Sequence, residues 1–181
     1  MPRFDIDSYR ANFQGGARQN LFYIKPNFPA GVEGANTETA TFLVRASSLP
    51  ETMTEEIMTN WQGYDFKMAS KYTFPDWMVT FNVDVDANIQ KMFINWANLI
   101  HDPTSNIYSM PAAYFADQQL ELLGFDGSPI LKYKLVAAWP KSVGNITLDY
   151  SSTDVAQFDV TFSYLYHVVD KASYDMTVTF A

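Results

Sequence analysis

The stretch Tyr72-Thr-Phe-Pro-Asp-Trp77-Met-Val79-Thr-Phe81-Asn-Val83, followed by Ile89-Gln-Lys-Met92-Phe93-Ile-Asn-Trp96-Ala-Asn-Leu99-Ile100, changes its period halfway. Trp77, Val79, Phe81 and Val83 alternate with Met78, Thr80 and Asn82, the pattern of a half-buried strand. Beyond Asp84 the apolar residues Ile89, Met92, Phe93, Trp96, Leu99 and Ile100 fall on one stripe of a helix. Asp86 is the expected N-cap, and Asp102-Pro103 ends the helix, which spans about residues 86–101.

Working toward the N-terminus, residues 51–71 carry Met53, Ile57, Met58, Trp61, Tyr64, Phe66 and Met68, which fit no single period. Gly63 divides two β-capable runs, so a long protruding hairpin is expected. Thr39–Ser47 alternates through Phe42, Val44 and Ala46 and reads as a strand closed by Leu49-Pro50. Residues 25–38, with two prolines and two glycines, read as a loop after a short strand, Asn20–Ile24. Residues 1–19 are polar and read as a flexible arm ending at Gly15-Gly16.

Toward the C-terminus, residues 103–117 read as loop. Leu120–Phe125 and Ile130–Trp139 are strands joined at Asp126-Gly-Ser-Pro129. Ile146–Tyr150 reads as a short strand. Phe158, Val160, Phe162, Tyr164 and Tyr166 form the cleanest alternation in the chain, and Tyr174, Met176, Val178 and Phe180 alternate again in a C-terminal extension, 168–181. The expected fold is mainly β: an antiparallel sandwich or barrel with one packed helix, in a single domain over 1–181.

Composition narrows the function. Of 181 residues, 48% are hydrophobic and 16% aromatic, which excludes disorder. Charged residues make up 18%, against about 25% in ordinary soluble domains, so part of the surface is expected to be covered, plausibly by copies of the chain itself. The net charge is −8 and the pI about 4.6. Lys132, Lys134 and Lys141 form the only basic cluster, too thin for the phosphate contacts that dominate tight nucleic-acid binding. Without cysteine there is no disulfide and no thiolate metal site. The charged N-terminus lacks the apolar region of a signal peptide, and no run reaches the ~18 apolar residues of a membrane span. A soluble protein made in the cytoplasm is expected, with no membrane contact.

No residue set supports catalysis, a cofactor or a metal. His101 and His167 are distant in sequence and lie in no motif; His101 suits a helix C-terminus. Asp84 and Asp86 lack the glycine and distal glutamate of a calcium loop. Gly124, Gly127 and Gly144 occur singly, without a phosphate cradle. Ser142, Ser151 and Ser152 lack a nucleophile elbow. Asn145-Ile-Thr147 matches a glycosylation acceptor, best read as chance in a chain without a secretory signal. The aromatics have core periodicity and little Lys or Arg among them, so base stacking is disfavoured.

A resemblance carries further. Ala17-Arg-Gln-Asn-Leu-Phe-Tyr-Ile24, Ala46-Ser-Ser-Leu-Pro50, Thr73-Phe-Pro-Asp-Trp77 with its strand and helix, and Trp139-Pro-Lys-Ser-Val-Gly144 through Tyr164 together resemble the tail tube proteins of contractile-tailed (T-even-like) bacteriophages. About half the chain takes part, in the family's order. Gln19 stands where the family commonly has proline, and the loop 25–38 and the tail after Val168 look longer than in compact members. The resemblance implies a structural virion protein, not an enzyme. Hexameric rings would lend strands to a shared inner barrel and stack into a tube that conducts DNA during ejection. A barrel of 16 or more strands leaves a water-filled lumen, and strand sharing removes exposed edges. Implied partners are the protein itself, with sheath, tape measure and baseplate proteins. DNA would pass transiently, without specific binding. The expected location is the virion tail, assembled in the host cytoplasm.

In this family the segment corresponding to 51–71 lies between successive rings, so Met53, Ile57, Met58, Trp61, Tyr64 and Phe66 are the expected inter-ring contacts. Glu121, Asp149 and Asp159 are the expected lumen-facing residues, since an acidic wall lets DNA slide. Two other readings stay open. One is the same fold in a phage-derived injection device or tailocin, carrying protein or no cargo. The other is a monomeric β-barrel holding a small ligand in an apolar pocket.

Overall fold

The long strand Pro129–Val143 organises the molecule, because three other strands pair with it. The computed structural model describes residues 5–13 and 15–171. In chain order its elements are α1 (Ile6–Phe13), β1 (Phe22–Lys25), α2 (Thr37–Phe42), β2 (Val44–Ser47), β3 (Met53–Trp61), β4 (Tyr64–Thr73), β5 (Trp77–Asn82), α3 (Asn88–Ile100), β6 (His101–Asp102), β7 (Ile107–Tyr108), α4 (Pro111–Tyr114), β8 (Ala116–Leu123), β9 (Pro129–Val143), β10 (Gln157–Ser163) and β11 (Tyr166–Lys171).

The main sheet is antiparallel, in the order β1-β8-β9-β10-β5-β2, with β11 also on β9. It does not close into a barrel within the subunit; β1 and β2 remain as separate ends. β8 and β11 pair with the first part of β9, through Ala138 and Val136, and β10 pairs with Trp139–Val143. The changeover sits at Ala137, whose φ of 54° lies in the left-handed region. That conformation is unfavourable for a residue with a Cβ and persists only where neighbours hold it. Here the Ala137 N–H donates to Asp117 Oδ1 at 3.1 Å. Burial alone would raise the Asp117 carboxyl, but that N–H and the Lys134 ammonium outweigh it and hold it below its ordinary value.

The core forms where α3 meets the sheet. Ile89, Met92, Phe93 and Trp96 of α3 are buried against Trp77, Val79 and Phe81 of β5, Phe158, Val160 and Phe162 of β10, and Leu120, Leu135 and Ala138 of β8 and β9. Phe93 sits at the hub, with ring centroids of Phe81 and Phe28 at 4.9 and 5.2 Å. Gln118 is fully buried and its amide exchanges two 2.9 Å hydrogen bonds with the backbone of Asn27, which ties down the 25–38 loop. A buried amide needs such partners.

Several expectations need correction. Among the described residues α3 is accompanied by three shorter helices. One of them, α1, lies in the arm expected to be irregular. α2 replaces the first half of the expected 39–47 strand: Asn36 Oδ1 accepts the Thr39 N–H at 3.1 Å and starts a helix. Asp86 does not cap α3. Left-handed Ala87 turns the chain so that Asp84 Oδ1 accepts the Ile89 N–H instead. Residues 103–117 hold β7, which pairs with β6 just before them, then α4 and the start of β8, besides loop. Ile146–Tyr150 forms no strand; among the described residues no strand pairs with it, and Leu148 and Tyr150 are exposed. The 158–166 alternation breaks after Ser163, and Tyr166 begins β11 on the other part of β9. The alternation expected over 173–181 lies outside the described residues. Among those residues no helix is long and apolar enough to cross a membrane.

Candidate functional site

β3 and β4 form a two-stranded sheet of their own, unpaired with the main sheet. Gln62 and Gly63, at φ 51° and 84°, make the turn between them. Two successive residues with positive φ are what a tight hairpin turn matching the strand twist requires, and glycine supplies the second at no steric cost. This turn sets the register Trp61↔Tyr64, Asn60↔Asp65, Thr59↔Phe66, Met58↔Lys67, Ile57↔Met68 and Glu56↔Ala69.

Directly opposed residues share a face, and alternate pairs change face. One face of the hairpin therefore carries Ile57, Thr59, Trp61, Tyr64, Phe66 and Met68. The other carries Glu56, Met58, Asn60, Asp65, Lys67 and Ala69. The second face is satisfied internally: Lys67 Nζ lies 3.0 Å from Glu56 Oε1, and Asn60 Nδ2 donates to Asp65 Oδ1 at 3.1 Å. The first has no cover. Trp61 is 71% exposed and Tyr64 78%. Exposed apolar patches of this extent mark interaction surfaces.

Of the six expected contact residues, the hairpin brings Ile57, Trp61, Tyr64 and Phe66 onto one face. It puts Met58 on the opposite face and Met53 at the root, beyond a register shift and paired with Thr73. Met68 belongs to the apolar face and was absent from the expected set. The Tyr64-Phe66-Met68 alternation was its signal.

The three expected lumen carboxylates are not together. Glu121 lies on β8, on the side of the strand opposite buried Leu120, with Lys132 Nζ at 3.2 Å. Asp159 lies on β10 between buried Phe158 and Val160 and accepts a 2.6 Å hydrogen bond from Thr80 Oγ1; it has no ion pair among the described residues. Asp149 lies in the loop after β9. There the Ser151 backbone N–H and hydroxyl, at 2.9 and 2.7 Å, hold its carboxyl below the ordinary value. The wall around Asp159 is otherwise uncharged, with Asn82, Thr80, Gln157, Thr161 and Ser142 in register and exposed Met78 opposite Thr161. Of the lysine trio, Lys132, Lys134 and Lys141 each pair with a carboxylate: Glu121, Asp117 and Asp76.

His101 ends α3 and stacks on Tyr108 with ring centroids 4.1 Å apart. Among the described residues no group of three or more His, Asp or Glu is placed to hold a metal. A groove of about 660 Å³ lies between the sheet ends, lined by Phe22, Leu49, Leu120, Leu122, Arg45 and their neighbours. The inner face of the sheet, where a ligand-binding reading needs a pocket, is filled by Phe81, Phe93, Trp96, Phe158 and Phe162.

Comparison with known proteins agrees with this geometry. A family model described as "Phage tail tube protein" matches residues 17–170. The chain is 25% identical over 163 residues to the tail tube protein of Enterobacteria phage T4, covering 87% of this chain and 96% of the relative. It is 28% identical over 162 residues to the tail tube protein of Serratia phage KSP90, covering 87% and 91%. In fold it is similar to a chain of the anti-feeding prophage baseplate, with TM-score 0.65, 13% identity and 87% and 97% coverage. It is also similar to a chain of the sheath–tube complex of an extracellular contractile injection system, with TM-score 0.60, 15% identity and 92% and 98% coverage.

Proposed function

This chain belongs to the phage tail tube protein family, and we propose that its copies close into hexameric rings that stack into the inner tube of a contractile tail. The observation that carries this reading is the uncovered apolar face of the β3–β4 hairpin, set on an element that packs little against its own subunit. A second copy in the next ring is its natural cover. The free ends of the main sheet, β1 and β2, support lateral pairing, because an unpaired edge is a template for another strand. The subunit works by assembly and has no enzymatic role. Its partners are itself and the sheath, tape measure and baseplate proteins, and it resides in the virion tail after assembly in the host cytoplasm.

The test is negative-stain electron microscopy at low and high protein concentration. Rings with a central hole, or stacked tubes, are expected. Small particles alone, even on an added baseplate nucleus, would sink the reading.

DNA passes through the lumen transiently and without specific contacts. DNA carries about one negative charge per 1.7 Å of axis, so a wall that lacks free cations does not retain it. Asp159, in its uncharged surroundings, fits such a wall. Glu121 is neutralised by Lys132 and contributes less. Because the chain has no cysteine, Asp159→Cys introduces a single thiol. In assembled tubes that thiol should react with a small maleimide and resist one carried on a large polymer. Equal reaction with both would place Asp159 on the outside. Asp149→Cys, treated the same way, places the loop.

The same surfaces serve a phage-derived injection device equally well, and the fold similarity to an injection-system chain favours keeping this second reading. Capsid and terminase genes beside the gene decide between them.

A further inference from the structure

The hairpin shares no strand pairing with the main sheet and is joined to the subunit at its two roots, where the chain enters after Pro50 and leaves before Trp77. The ladder between the legs ends at Met53↔Thr73. Below that pair the legs diverge, and their direction depends on what holds Thr52 and Phe74. One side chain reaches both. His167 of β11 lies with Nε2 3.0 Å from Thr52 Oγ1 on the entering leg. Its ring meets Phe74 on the leaving leg edge-on, with centroids 5.1 Å apart. Its Nδ1 lies 3.4 Å from the Tyr164 hydroxyl, and the Tyr133 ring of β9 flanks it at 5.6 Å.

We propose that His167 is the positioning residue of the β3–β4 hairpin, locking both roots to β11 and so fixing the direction in which the apolar face is presented. This rests on the reading of that face as the contact between rings.

The chemistry suits an imidazole. Burial, with the Asp76 and Glu51 carboxylates nearby, pushes the Tyr164 phenol up to about 12, so it stays protonated and can donate to Nδ1. The Nε2–H then donates to Thr52. A phenylalanine would fill the space between the rings but leave both hydroxyls without this partner. A glutamine would restore one polar contact.

Burial also lowers the basicity of His167 from its ordinary 6.5, so the clamped state favours the neutral ring. The groups facing it are Tyr164 from the β10–β11 connection, Tyr133 from β9, and Thr52 and Phe74 on the roots. Glu51 and Asp76 follow on the same roots, and Asp76 is held by Lys141 of β9 at 2.6 Å. A depressed folded value means that a released ring binds protons more readily. The clamp is therefore complete above pH 6.5 and weakens as pH falls below it. For one linked proton the change is at most about tenfold per pH unit.

The experiment uses the full chain with two introduced cysteines, Asn60→Cys near the hairpin tip and Ser142→Cys on β9. Both carry spin labels, and distances are read by double electron–electron resonance. A narrow distribution is expected at pH 7.5. It should broaden at pH 5.5 and at both pH values in His167→Phe, while circular dichroism stays that of the folded chain. His167→Gln should lose the pH dependence. Tube elongation in the unlabelled variants should follow the distances, slowing up to about tenfold per pH unit in the parent chain and staying flat with pH in His167→Gln. An unchanged distribution in folded His167→Phe would overturn the clamp. A broadened distribution with undiminished elongation would sustain the clamp and sink the inter-ring reading instead.

Discussion

Trp61→Glu yields a folded subunit that no longer extends tubes. The indole is 71% exposed and lies next to the turn, on a face that no other described residue covers, so its loss leaves the core untouched. Stability should stay within about 0.5 kcal/mol of the parent, as for surface substitutions in general. Assembly is a different matter. A tryptophan at the centre of an interface commonly contributes 2 kcal/mol or more, roughly thirtyfold or more in affinity for each contact. A carboxylate in its place also buries an unpaired charge. In the proposed ring several such contacts engage at once, so the critical concentration for tube growth should leave the measurable range. Sedimentation and electron microscopy of the mutant read this directly. Met58→Glu is the control: it lies on the ionic face of the same strand and should permit growth. Equal loss in both would mean that hairpin charge, rather than one face, is what matters.

Phe93→Ala has the largest expected effect on the fold. The ring is fully buried, with aromatic neighbours on three sides: Phe28 from the 25–38 loop, Phe81 from β5 and Phe158 and Phe162 from β10, all within 6.1 Å between centroids. Removing it leaves a cavity whose walls belong to three separate elements and cannot collapse together. Such substitutions cost about 3–5 kcal/mol. Domains have about 5–15 kcal/mol in total, so the change removes roughly a fifth or more of the stability. The melting midpoint should fall by roughly 10 °C, at about 2–4 °C per kcal/mol for a chain of this size. A drop of 2 °C or less would mean that α3 is held chiefly by something other than this cluster. The Trp96 indole N–H on the Tyr114 carbonyl at 2.8 Å is the contact to test next.

How far the sequence was readable varied with what decided each element. α3, β5 and β10 could be read because each buries one face against a single core, and burial imprints its period on the residues. The hairpin could be read from Gly63. Its two faces could not, since they depend on register across the turn, and Met58 looks as apolar as Ile57 until Lys67 is known to lie opposite it. Alternation misled at Phe42, which is 86% exposed: the Asn36 side chain had already committed the backbone to a helix. It misled again at Ile146–Tyr150, where no strand among the described residues pairs with it. Asp84 was not recognisable as the cap of α3 because its reach depends on left-handed Ala87, a conformation that alanine rarely adopts. The carboxylates Glu121, Asp149 and Asp159 were legible as polar positions. Only the structure separates one with a lysine partner, one in a turn and one on a neutral wall.

The strand order carries a consequence for synthesis on the ribosome. Among the described residues β1 pairs only with β8, nearly a hundred residues later, and β5, which holds β2, awaits β10. The first half of the nascent polypeptide therefore emerges with only the β2–β5 pair and the local β3–β4 hairpin able to close early. Such long-range pairing is slow and leaves strands exposed while it waits. Each newly made chain passes through an interval in which its stickiest element is formed and its own core is not. Translation speed and chaperone supply, rather than final stability, should then limit how many competent subunits an infected cell delivers.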